Sequence, residues 1–213
     1  MKITLLIVIA FFPSLCWVQP ELPVGKGIVK IDLSAISSIE FYSNSSCTEV
    51  MHKIELISNN VGVIELKENK SEPKWFNPEQ FFPSYDIFMM RVDSVGIENL
   101  KVFVDSKGTT AWIKRKDGMM FSEWKSFLAK QVSAVQKNEW QQVLVKNQPV
   151  ATSALIKIAE TTDCFKILEV KGDWLKIQSD TKSGCSETKR PVKLGWVQWR
   201  KGDRLQVSYT LIL

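Results

Sequence analysis

Two stretches of this chain read as copies of one another. LKVFVD (100–105) aligns with LKIQSD (175–180), and AWIKRKDG (111–118) aligns with GWVQWRKG (195–202). Each pair follows an apolar run, FMMRVDS (88–94) or FKILEVK (165–171). Lys101 to Trp112 is 11 positions and Lys176 to Trp196 is 20, so the second copy carries about nine further residues, around TKSGCSETK, in the connecting loop. A supersecondary unit used twice predicts two small domains rather than one large sheet.

The rest of the pattern agrees. IEFYS (39–43), EVMHKIEL (49–56), VGVIEL (61–66), IFMMRVDS (87–94) and TTAWIKRK (109–116) have strand periodicity with β-branched or aromatic residues. The second half adds EWQQVLVK (139–146), ALIKIAE (154–160), CFKILEV (164–170), WLKIQS (174–179), LGWVQWR (194–200) and LQVSYTLIL (205–213). Only FSEWKSFLAKQVSAV (121–135) switches to helical spacing, with Ser122 as N-cap and Trp124, Phe127, Leu128 and Val132 on one face. No strand–helix–strand alternation occurs. The expectation is an all-β chain of two small antiparallel barrels joined by a short helix. The first spans 36–130, with an aromatic insert at 67–86, and the second spans 139–213. Residues 17–35, with the Pro/Gly stretch QPELPVGKG (19–27), read as a linker.

The N-terminus reads as a targeting segment. Lys2 precedes an apolar run from Ile3 to Phe12, the length of a signal-peptide core and too short to cross a bilayer. Ser14 and Cys16 stand at the specificity positions of a signal peptidase site, which places export and cleavage before Trp17. Cys16 is alternatively the acylated residue of a lipoprotein, although Leu15 before it is larger than such sites prefer. Residues 17–128 carry 13 basic and 15 acidic side chains, and residues 129–213 carry 14 and 8. The second half is therefore the one that attracts an anionic partner.

No catalytic constellation is legible. Cys47 and the single histidine, His52, are five positions apart, on opposite faces of a strand, whereas nucleophile and base must touch. No metal-ligand spacing or phosphate-cradling glycine loop occurs, so neither a metal nor a cofactor is expected. In an exported chain disulfides persist. A Cys164–Cys185 bridge would pin the inserted loop to the second barrel and stabilise it by ~3 kcal/mol. The alternative is two reduced thiols with Cys164 packed inward. The candidate ligand-binding residues are aromatic and basic. Trp75, Phe76 and Tyr85 lie in the insert, which either plugs a barrel end or lines a groove. Trp174, Trp196 and Trp199 lie in the second copy, beside Arg200 and Lys201. Trp196 and Trp199 face opposite sides of their strand, which leaves one of them partly exposed.

The motif Ile167-Leu168-Glu169-Val170, Gly172-Asp173-Trp174-Leu175-Lys176-Ile177 and Gly195-Trp196-Val197 resembles the bacterial Src-homology-3-like (SH3b) domain over roughly 165–200. The first copy is similar at Leu100-Lys101-Val102 and Trp112-Ile113, but has Ala111 in place of the glycine and no Trp before Leu100. The whole chain is similar to a group of exported SH3-like proteins of Bacteroidetes-type bacteria, through the Trp75–Tyr85 loop and the Trp124–Leu128 helix. The resemblance implies a tandem, non-enzymatic binding module of the cell envelope, recognising peptidoglycan, glycan or an envelope protein. Its alternative is a structural subunit of an envelope complex with no ligand groove. Nucleic acid is disfavoured by export, and membrane contact is expected only through a lipid on Cys16.

Overall fold

A computed structural model describes residues 23–60, 62–67, 73–137, 144–157, 164–179 and 194–211, apart from the side chains of Lys137 and Cys164. The fold is all-β with one short α-helix. In chain order the strands before the helix are β1 (Gly27–Ile31), β2 (Ser38–Tyr42), β3 (Val50–Ser58), β4 (Ile64–Leu66), β5 (Gln80–Phe82), β6 (Ile87–Val95), β7 (Asn99–Phe103), β8 (Thr110–Lys114) and β9 (Met119–Glu123). Helix α1 (Trp124–Lys130) follows. Then come β10 (Val132–Lys137), β11 (Cys164–Lys171), β12 (Trp174–Ser179), β13 (Leu194–Gln198), β14 (Arg200–Lys201), β15 (Arg204–Leu205) and β16 (Val207–Leu211).

The sequence repeat is a repeat of pairing. The first sheet contains the path β8-β7-β6-β1-β9, and the second runs β13-β12-β11-β10-β16, the same order. The registers coincide as well. Lys101 stands opposite Trp112 and Lys176 opposite Trp196. Val92 faces Val102 and Ile167 faces Ile177, and immediately after each the strand bulges, at Asp93 and at Leu168. Even the flanking edge is repeated. Tyr42 pairs with Trp112, and Lys146 bridges Trp196, the one from the connection between β1 and β6, the other from that between β10 and β11. The first sheet continues outward, through β2, β3 and β4.

Two cores form because β1 and β6 bury both faces. Adjacent side chains point oppositely along a strand, so Phe88 and Met90 enter one cluster with Phe41, Phe76, Val102 and Ile113. Ile87 and Met89 enter another, with Trp124 and Phe127 of the helix and with Phe165, Leu175, Ile177, Val197 and Trp199 of the second sheet. This second core is continuous across both sheets. A run as apolar as IFMM belongs to such a doubly buried strand.

Several expectations are corrected. The helix covers 124–130, not 121–135. Phe121 is held in β9 opposite Val29, and Val135 in β10 opposite Tyr209, because sheet pairing and burial override the local helical spacing. Ser122 is not a cap. The N-cap is Glu123, without a side-chain cap, and the Ser122 hydroxyl accepts a bond from Gln131 Nε2 instead. Within the segment read as a linker, residues 27–31 form β1, which lies between β6 and β9. Residues 144–157 supply isolated bridges at Lys146 and Leu155 rather than two regular strands. The remainder of 139–146 and of 154–160 lies outside the described residues, as do the targeting segment and Cys185.

Candidate functional site

The β11–β12 hairpin turns through Gly172-Asp173, with Lys171 opposite Trp174. Gly172 takes φ 56°, a conformation that costs glycine little and other residues more. The returning strand β12 alternates strictly. Leu175, Ile177 and Ser179 are buried, while Trp174, Lys176 and Gln178 are half-buried on the outer face. On β13 Trp196 and Gln198 share that face, opposite Lys176 and Trp174 respectively. The Lys176 ammonium lies 6.0 Å from the Trp196 ring centroid, at the limit of a cation–π contact. Glu169 stands across from Lys176, yet no ion pair forms between them. Two aromatic rings, lysine ammonium groups, two amides and the Glu169 carboxylate therefore share one outward surface.

Gly195 makes this edge possible. A Cβ there would meet Val145 Cγ1 at 2.3 Å and the Lys146 carbonyl oxygen at 3.1 Å. The segment around Lys146 docks against that space, exchanging two backbone hydrogen bonds of 2.8 Å with Trp196.

The corresponding surface of the first sheet is built differently. Asn99 replaces Trp174. Lys101 is ion-paired with Asp93, the bulge residue, at 3.2 Å. In the second sheet the bulge residue is the exposed Leu168, and among the described residues Lys176 has no ion-pair partner. The edge neighbour of Trp112 is Tyr42, whose ring carries Lys114 at 5.2 Å and whose hydroxyl donates to Glu40.

Trp199 does not belong to the outer face. It is 3% exposed and packs in the continuous core, 5.9 Å from Trp124. Its ring N–H donates to the Gly172 carbonyl and its backbone N–H to the Asp173 carbonyl, both at 3.0 Å. The reading of Trp199 as a ligand contact is therefore corrected: it anchors the hairpin turn from beneath. Arg200 is half-buried and donates to the Gly202 carbonyl at 2.8 Å, and Lys201 is exposed. Their β14–β15 hairpin holds the N-terminal strap. The Asp203 carbonyl accepts from Val24 N–H at 3.0 Å and its carboxylate from Gly25 N–H at 3.2 Å.

The aromatic insert separates into a plug and a surface. Phe76 is 2% exposed and packs edge-on against Phe41, Phe81 and Phe88, so its reading as a ligand contact is corrected. Trp75 is half-buried and stacks on His52, with centroids 4.1 Å apart. Tyr85 is 69% exposed. The eight candidates thus fall into separate places: Trp75 packs on Phe76 at 5.2 Å, Arg200 and Lys201 share the β14–β15 hairpin, and Trp174 and Trp196 lie diagonally on the outer face of β12 and β13.

One cluster has no counterpart among the sequence-derived candidates. Arg91, in the doubly buried β6, pairs with Glu79 through Nε and, at 3.2 Å, through Nη2. It also donates to the Pro23 carbonyl and lies 5.7 Å from the Trp124 ring. Tyr209 of the second sheet donates to Glu79 at 2.7 Å. Burial first, then the Glu79 charge, holds the Tyr209 phenol well above its ordinary value of 10. Trp124 Nε1 donates to the Val24 carbonyl at 2.7 Å, so both backbone groups of Val24 are tied to elements beyond β9. The signal for this cluster was an arginine inside IFMMRV, a charge in a run too apolar to be exposed.

Cys47 is buried at φ 52°, and burial pushes its thiol above the ordinary range. Among the described residues no group of three His, Cys, Asp or Glu side chains is placed to hold a metal ion. Comparisons with protein-family models, curated proteins and solved structures find no match to this chain.

Proposed function

We propose that this protein is an exported, non-enzymatic binding module of the cell envelope. It recognises cell-wall peptidoglycan or glycan through the outer face of β12 and β13. The observation that carries the reading is the asymmetry between the two copies. The first offers Asn99, an ion-paired Lys101 and Trp112 beside Tyr42. The second offers Trp174, a Lys176 that has no ion pair among the described residues, and Trp196 on one face, in the more basic half of the chain. Aromatic rings with adjacent ammonium and amide groups suit sugar rings and anionic substituents. The resemblance of the Gly-Asp-Trp and Gly-Trp motifs to SH3b domains points the same way. Co-sedimentation with purified peptidoglycan tests it: the wild type is retained, and Trp174→Ala or Lys176→Glu releases it while leaving the fold intact.

A second reading is favoured by the joint. A core continuous across both sheets and a buried Glu79–Arg91–Tyr209 cluster suit a rigid structural subunit of an envelope complex. Failure of the wild type to sediment, with co-purification of a defined envelope protein, would favour that reading.

A further inference from the structure

The joint carries a groove outside the β12–β13 face. It has a volume of about 410 Å³ and is bounded by Lys30 of β1, Tyr85 and Asp86 just before β6, Ile87 and Met89 of β6, Lys130 and Gln131 at the end of α1, and Leu211 of β16. Its size falls within the roughly 300–1,000 Å³ of small-molecule sites, and junctions between packed units are where such sites concentrate. Neither sheet forms it alone. The floor is apolar: Ile87 and Met89 are buried. Tyr85 stands open at the rim with its ring available as a platform. Among the described residues neither Lys30 nor Lys130 is in an ion pair. The carboxylate in the lining, Asp86, and the nearby Asp32 each accept backbone hydrogen bonds. Asp86 accepts from Leu33 N–H at 3.2 Å, and Asp32 accepts from Ser34 N–H at 2.9 Å and from its hydroxyl at 2.7 Å. Lys130 also complements the negative end of α1.

We infer that this groove binds a carboxylate-bearing sugar, with the ring on Tyr85 and the carboxylate at the two lysines. Gln131 supplies an amide for a hydroxyl or acetamido group. The inference rests on the reading of the protein as a cell-wall binder and adds the class of ligand recognised at the joint.

The matched probes are N-acetylmuramic acid and N-acetylglucosamine, which differ by a lactyl carboxylate. Amide chemical shifts of the isotope-labelled protein are followed as each sugar is added. The acid is expected to shift the amides of Tyr85, Asp86 and Gln131 saturably, at least tenfold more tightly than the neutral sugar. Lys30→Glu and Lys130→Glu should each abolish that preference, and Tyr85→Ala should weaken both sugars, with the remaining amide spectrum unchanged. Equal affinity for the two sugars, or no saturable shift at these amides, overturns the inference. Sedimentation with peptidoglycan separates the two claims. A wild type retained through Trp196 but indifferent to the carboxylate loses the groove alone. A wild type that is not retained, yet prefers the acid sugar, keeps the groove and loses the cell-wall reading.

Discussion

Trp196 and Trp199 stand three positions apart and face opposite sides of one chain segment. Period two along a strand makes that opposition legible from the sequence. It does not say which ring goes inward, because that depends on the helix and second core beneath. Trp199→Ala removes a buried ring that ties down the Gly172-Asp173 turn, and should cost about 3–5 kcal/mol in chemical denaturation. Trp196→Ala, at the half-buried outer face, should cost about 1 kcal/mol. Gly195 is a similar case. The sequence indicates close packing at that glycine, and the structure supplies the partner, Val145. Gly195→Val should therefore destabilise by about 1–3 kcal/mol through overpacking, measured as a fall in the denaturation midpoint.

At the scale of elements, strand existence is legible and element type fails where tertiary pairing competes. FSEWKSFLAKQVSAV has helical spacing throughout, yet β1 and β16 recruit its two ends as strands, leaving a helix of seven residues. The Arg91 cluster was hidden for another reason: its partners Glu79 and Tyr209 are 12 and 118 positions away, and no local pattern reports them. Arg91→Met would strand Glu79 as a buried charge and should cost about 3–5 kcal/mol, whereas the double replacement with Glu79→Leu should recover much of that loss. A double-mutant cycle in urea measures it. The pH dependence follows from Tyr209. Its folded phenol titrates well above 10, while an unfolded phenol titrates near 10. The folded state therefore retains the proton longer. The contribution is complete below pH 10 and is lost as pH rises beyond it. Tyr42, pushed up to about 12 chiefly by its bond to Glu40, adds an effect of the same sign. Tyr209→Phe should flatten the alkaline decline in the denaturation midpoint and leave the Tyr42 part.

For the whole molecule, the repeat made the two sheets legible, because each copy carries the same strand order, bulge and Lys–Trp register. The joint was not legible. It depends on which side of β6 meets the helix, and on a strap at Val24 whose partners are a tryptophan and a hairpin far along the chain. One core shared by both sheets should give one cooperative transition in calorimetry, with calorimetric and van't Hoff enthalpies equal, rather than two separable melts. Of the two repeated outer faces, only that of the second copy is proposed to bind peptidoglycan. The most direct measurement is co-sedimentation with purified peptidoglycan of two variants that alter the same position of the repeat, Trp112→Ala and Trp196→Ala. Trp112→Ala should be retained like the wild type, and Trp196→Ala should lose at least tenfold in affinity while remaining folded. Equal retention of the two variants would rule out binding through the second face alone.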